Sequence, residues 1–289
     1  MTSRATVSAA LLATAALALA ACGGGGGATK PTKLSITLSG SGKAVKYTVP
    51  ASAKGGLVEI TFHNQVAAPP GHSAQLIRVV GGHTVQEVFQ VLGAGPGHKI
   101  PAWIHAEGGA GPTAPNSTSI VVRDLPAGSY FVVDVGGQPQ GPPANAAFKV
   151  TKGKSGKLPH ASSVVNAAKL REHHFAWKLS GRPLKAGVNR IEFKSGGKDA
   201  LHHIAVFKVT GKPSNAALIK ALNSNGPPPK FVDQRSFYNT STLEGGKAEV
   251  TQLPLSAGPG NYVLFCPLTD REGGKPHYQE GLLKTVTIK

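Results

Sequence analysis

L-P-A-G-S-Y-F-V-V-D (Leu125 to Asp134) and S-A-G-P-G-N-Y-V-L-F-C (Ser256 to Cys266) are one stretch written twice. Each opens on turn residues and runs into a strand of aromatic and aliphatic side chains. The first ends on a carboxylate and the second on a thiol. Working outward, the rest of the chain repeats in the same order. G-L-V-E-I-T-F (Gly56 to Phe62) matches G-V-N-R-I-E-F (Gly187 to Phe193). G-H-S-A-Q-L-I-R-V (Gly71 to Val79) matches L-H-H-I-A-V-F-K-V (Leu201 to Val209), which aligns His72 with His202. Helix-like spacing follows in Thr84 to Leu92 and again in Asn215 to Leu222. Pro101 to Ile104 pairs with Pro229 to Val232, and each copy closes on a strand, Ala146 to Thr151 or Leu283 to Lys289.

Order and spacing agree across the body, so the chain is read as a duplication with a period far beyond the solenoid range. Gly 37 and Pro 22 punctuate short Val/Ile/Thr/Phe/Tyr runs, and the apolar fraction of 40% supports a core. The expected fold class is all-β: two tandem Greek-key β-sandwiches, each with one short inserted helix.

The first residues form a separate processing segment. Arg4 provides a positive start, residues 5 to 20 are small and apolar, and L-A-A-C ends at Cys22. This resembles the lipobox of bacterial lipoproteins, which implies lipidation at Cys22 and a body held at the extracytoplasmic face of the cell membrane. Gly23 to Gly27 then reads as a flexible tether. The expected organisation is a signal peptide with lipobox (1–22), a Gly-rich tether (23–33), a first sandwich domain (34–151), a basic linker (152–168) and a second domain (169–289).

The net charge of +17 suits attraction to anionic lipid or wall polymers. Nucleic-acid binding is disfavoured by the exported location and by the lack of a recognition motif. No G-x-S-x-G, H-E-x-x-H or phosphate loop appears, so an enzyme is not expected. With Cys22 committed to lipid, Cys266 has no partner in the chain, and its open readings are an intermolecular link, a buried thiol or a ligand.

In the second copy a histidine opens a central strand, G-N-Y-x-h-x-C ends a later one, and a histidine follows before the last V-T-I strand. That order resembles the cupredoxin family of plastocyanin- and azurin-like blue-copper domains. The resemblance implies a type 1 copper ion held by His202, Cys266 and His277, with His203 the alternative to His202. A thiolate with two imidazoles is the ligand set of a trigonal copper site. Met1 is the only methionine, so the family's axial thioether is missing, and Leu282 stands in its place. The loop Pro267 to Pro276 is longer than the family's. Copy one keeps His72 but has Asp134 in place of the cysteine, so no copper ligands are expected there. His63, His83, His98 and His105 read as dispersed loop residues. The functional expectations are electron transfer with an exported redox protein, copper capture or delivery, or a metal-free surface binding module.

Overall fold

The computed structural model describes residues 29–289 apart from 68, 70, 96 and 137–142. The signal peptide, Cys22 and the glycines of the tether lie outside the described residues. Among those described, no helix is long and apolar enough to cross a membrane.

The chain builds two β-sandwiches of matching topology. The first contains β1 (Thr32–Ser39), β2 (Lys46–Thr48), β3 (Ser52–Lys54), β4 (Gly56–Asn64), β5 (His72–Val79), β6 (Ile104–Thr113), β7 (Ser117–Leu125), β8 (Gly128–Val133) and β9 (Asn145–Thr151), with helix α1 (Val85–Gly93). The second contains β10 (Ser163–Arg171), β11 (His174–Gly181), β12 (Gly187–Ser195), β13 (Leu201–His202), β14 (Ala205–Val209), β15 (Val232–Asn239), β16 (Leu243–Glu244), β17 (Ala248–Leu255), β18 (Gly260–Phe265) and β19 (Leu283–Ile288), with helix α2 (Asn215–Leu222). β1 begins inside the stretch read as tether. β10 begins inside the stretch read as linker, where V-V-N-A-A continues a strand that pairs with β11 and β12.

Pairings repeat copy for copy. β1 runs parallel to β4, and β10 runs parallel to β12. Antiparallel β7 and β17 follow on the far side of each. In the facing sheets, β5 lies between β6 and β8, and β14 lies between β15 and β18. Alternation dictates the core: Leu34, Ile36 and Leu38 turn inward with Val58, Ile60 and Phe62, while the Thr and Ser residues between them face out. Tyr130 and Tyr262 each donate back to a carbonyl four residues upstream, Pro126 and Gly258, at 2.7 and 2.9 Å. Such a corner ties a strand to the turn before it.

Each helix covers the outer face of the sheet that contains the central strands. Thr84 caps α1 in a reciprocal capping box with Glu87, and Ser214 caps α2 through the Ala217 amide. Their buried Val88 and Leu218 make β8 and β18 apolar on both faces. In β18, therefore, Val263 and Phe265 pack toward α2, while Tyr262, Leu264 and Cys266 pack into the sandwich.

The two domains share their sheets. β17 pairs with β7 at Glu249↔Arg123 and Val250↔Val122, which creates one sheet in the order β11-β10-β12-β17-β7-β4-β1-β2. β16 pairs with β6 at Leu243↔Glu107. Leu57, Val122, Ala161 and Val250 form a small apolar cluster over the seam. Buried Glu107 accepts from Arg123 (2.7 Å), Arg78 (2.9 Å) and Lys247 (2.7 Å), charges drawn from both copies.

Candidate metal centre

His202, Cys266 and His277 come together at one end of the second sandwich, all fully buried. Their ligand atoms lie within 4.8 Å of one another. Cys266 arrives there because it continues the inward alternation of Tyr262 and Leu264. Its amide donates to the Leu282 carbonyl and its carbonyl accepts from the Tyr278 amide. His202 ends β13, which pairs with β16 and so attaches the ligand to the shared second sheet. His277 sits on the loop after Cys266, its amide bonded to the Leu268 carbonyl at 2.8 Å.

Hydrogen bonds set the tautomers. Nε2 of His202 lies 3.0 Å from the Gly196 carbonyl, which can only accept. Nε2 of His277 lies 3.2 Å from Oδ1 of Asp270. Both Nε2 atoms therefore carry the proton, and with that tautomer the Nδ1 of each ring is a lone-pair acceptor. Burial, then the neighbouring His277, holds His202 neutral, its pKa pushed down to about 3. Phe175 packs against both rings, with centroids 4.9 Å from His202 and 4.8 Å from His277. Burial pushes the Cys266 thiol up to about 12, so without a ligating ion it stays protonated at neutral pH.

Two observations test whether these residues suit a metal ion. Nδ1 of His202 is buried with no hydrogen-bond partner among the described residues, an arrangement that needs an explanation such as an ion. Sγ of Cys266 lies 3.7 Å from Nδ1 of His277. A thiolate and an imidazole bound to one ion at roughly 2.3 and 2.0 Å in a trigonal plane would stand about 3.7 Å apart. The donor set fits. Asp270 and the Gly196 carbonyl are the outer acceptors that orient such ligands.

The remaining sequence assignments fall as follows. His203 is not part of the group: it lines a cavity of about 540 Å³ between the domains, together with Ile104, Phe237 and Leu268. Leu282 is buried in the core, and its amide donates to the His277 carbonyl at 2.8 Å. In the first domain His72 and Asp134 do face each other as the duplication requires, Nδ1 to Oδ2 at 2.6 Å. Asp134 also accepts from the Ser73 amide and hydroxyl and from the Gly136 amide. Of the histidines read as loop residues, His63 and His105 lie on strands. His63 bonds Thr118, and His105 bonds Glu244 across the seam. His83 stacks on Trp103 at 3.8 Å, and His98 borders the cavity.

Sequence reasoning missed Asp270, Phe175 and Arg271. Nothing in the local pattern of D-R-E-G-G-K-P (Asp270 to Pro276) marks Asp270 as the acceptor beside His277. Arg271 explains how the long loop stays ordered. It donates to the Pro101 carbonyl (3.2 Å), to the Ile104 carbonyl (2.7 Å) and to Glu244, while the Ile100 amide donates to its carbonyl (2.7 Å).

No protein-family model matches the chain, and no curated protein matches it. Among solved structures it is similar to an auracyanin B structure at 24% identity and TM-score 0.28, over 44% of this chain and 86% of that one. It is also similar to a multicopper oxidase at 16% identity and TM-score 0.24, covering 90% and 89%. A copper nitrite reductase from Nitrosomonas europaea aligns at 14% identity and TM-score 0.25, covering 90% and 94%.

Proposed function

We propose that the chain is a cupredoxin-like protein that binds one copper ion at His202 Nδ1, Cys266 Sγ and His277 Nδ1 and serves in electron transfer. The observation that carries the reading is the convergence of one buried thiol and two buried imidazoles whose Nε2 atoms are both already engaged. When bound, copper would supply a one-electron couple. The protein's part is to hold the donors still. Gly196 and Asp270 fix the ring orientations, Phe175 fills the space beside them, and the β18 strand end fixes the sulfur. Ligands that do not move lower the reorganisation that accompanies a change of charge. Cys266 must lose its thiol proton to ligate, so uptake strengthens as pH rises.

Complete burial of all three donors favours retention over exchange, which ranks electron transfer above capture and delivery. Lipidation at Cys22 and an extracytoplasmic, membrane-held body belong to the same proposal, supported by the L-A-A-C motif. An exported redox protein is the expected partner, and no catalytic role is proposed.

The test is a visible spectrum of the full chain after Cu(II) addition and desalting, beside Cys266→Ala. An intense thiolate-to-copper charge-transfer band that disappears in the variant is expected. No band, with no copper retained, would overturn the copper reading and leave a metal-free binding module. For the anchor, incorporation of a labelled fatty acid that Cys22→Ser abolishes is expected.

A further inference from the structure

Next to the buried donors lies a second convergence that the copper reading does not use. His173 occupies the turn between β10 and β11 with φ +50, and its ring is exposed. Its Nδ1 stands 3.6 Å from Oδ2 of Asp270 and 3.6 Å from Oε1 of Glu280. The ligand atoms of the three residues lie within 4.8 Å of one another. At 3.6 Å neither contact is a hydrogen bond. Two donors bound tetrahedrally to one ion at about 2.1 Å stand roughly 3.4 Å apart. The spacing is thus too long for direct bonding and close to that of ligands sharing a cation.

The surroundings add two points. In a chain of net charge +17, the carboxylates of Asp270 and Glu280 have only imidazoles as ion-pair partners among the described residues, with no lysine or arginine nitrogen in contact. The frame is also rigid. The Phe175 amide donates to the Glu280 carbonyl (2.8 Å), and the Glu280 amide donates to the His277 carbonyl (3.0 Å). Asp270 is held by bridges to Ala200 and Gly273.

We propose that His173, Asp270 and Glu280 form a second, solvent-facing site for a divalent transition-metal ion, and that Cu(II) reaches the buried donors through it. One imidazole and two carboxylates suit a borderline divalent ion at an exchangeable surface position. Asp270 touches both places: Oδ2 faces His173 and Oδ1 holds the His277 ring. The buried donors have no exposed atom through which an ion could first be caught, whereas the outer three do. The loading role rests on the copper proposal above, but the outer site itself does not.

The full chain is titrated with Cu(II) and compared with Cys266→Ala and with the double variant His173→Gly/Glu280→Gln. Glycine suits the positive φ at 173, so the turn is preserved. Expected results are two equivalents bound by the wild type and one by Cys266→Ala, the latter with an oxygen–nitrogen electron paramagnetic resonance signal and no charge-transfer band. The double variant should bind one equivalent and reach the wild-type band intensity, which also shows that it is folded, but with a several-fold slower rise after mixing. Loss of all copper from Cys266→Ala would overturn the outer site. Equal rise times in wild type and double variant would overturn the loading role. A single equivalent in the wild type, without a band and lost in the double variant, would uphold the outer site while the buried-copper reading falls.

Discussion

Cys266 shows how one side chain is defined by its neighbours. The sequence marked it as the thiol at the end of an apolar strand, and strand alternation is enough to turn it inward. Its surroundings were not legible, because Phe175, Gly196 and Asp270 reach it from three separate segments. Burial keeps the thiol protonated and enclosed, and only an accessible thiolate is nucleophilic. The metal-free native protein should therefore resist alkylation by iodoacetamide at neutral pH and react fully in denaturant, as mass spectrometry would record. Rapid native labelling would mean the site is open. Asp270→Asn keeps an acceptor near His277 Nε2 but removes the charge. Copper affinity of the buried site should fall by about 10- to 100-fold, the usual effect of changing an outer-shell partner. Equilibrium competition with a chelator measures it, and the melting temperature of the metal-free protein should barely move.

At the level of elements, the repeat was readable because alternation and helix spacing are local signals. The strand runs and both helices carry their patterns within a few residues of themselves. The loop from Pro267 to Pro276 carries no such pattern, since what holds it is contributed by the other domain. Arg271 inserts its guanidinium against the carbonyls of Pro101 and Ile104, at the entry to β6, and against Glu244. Replacing it with methionine leaves those acceptors short of donors and lets the loop drift. Arg271→Met should lower stability by about 3–5 kcal/mol, the range for breaking a buried charged pair at one end. It should weaken copper binding as well, although it touches no ligand. Chemical denaturation and the visible band check the two effects separately. Loss of stability with unchanged copper binding would show that β18 and the His277 backbone bonds suffice to place the ligand.

For the whole molecule, the seam between copies decides the behaviour. Nothing local in the sequence marks Glu107, Arg123, Lys247 and Glu249 as one cluster. Glu107, Arg123 and Glu249 are buried and Lys247 half-buried where β7 and β17 pair edge to edge, a long-range event that no local pattern announces. Pairing at these edges satisfies backbone groups that isolated sandwiches would leave open. Glu249 gives this seam a measurable signature. It is fully buried, its Oε2 accepts the Gly109 amide at 3.2 Å, and its Oε1 has no hydrogen-bond partner among the described residues. Gly108, at φ +62, leaves the room its carboxylate needs, since a Cβ there would overlap Oε2. Desolvation is the largest influence and pushes its pKa to about 7, against the pull of Arg123. A carboxyl whose folded pKa is raised binds more protons in the folded state than in the unfolded state. Between about 4.5 and about 7, then, this residue makes folding less favourable as pH rises, and above that window its penalty is complete. The full difference is about 3.5 kcal/mol at most, taking about 1.4 kcal/mol per pKa unit. Glu249→Gln keeps the Gly109 bond and removes the titration. Urea denaturation of wild type and variant across pH 4 to 8 should give stability curves that lie close at the acid end and separate as pH rises, with the variant the more stable at pH 8. Parallel curves would mean that Glu249 stays ionised throughout, with Arg123 outweighing its burial.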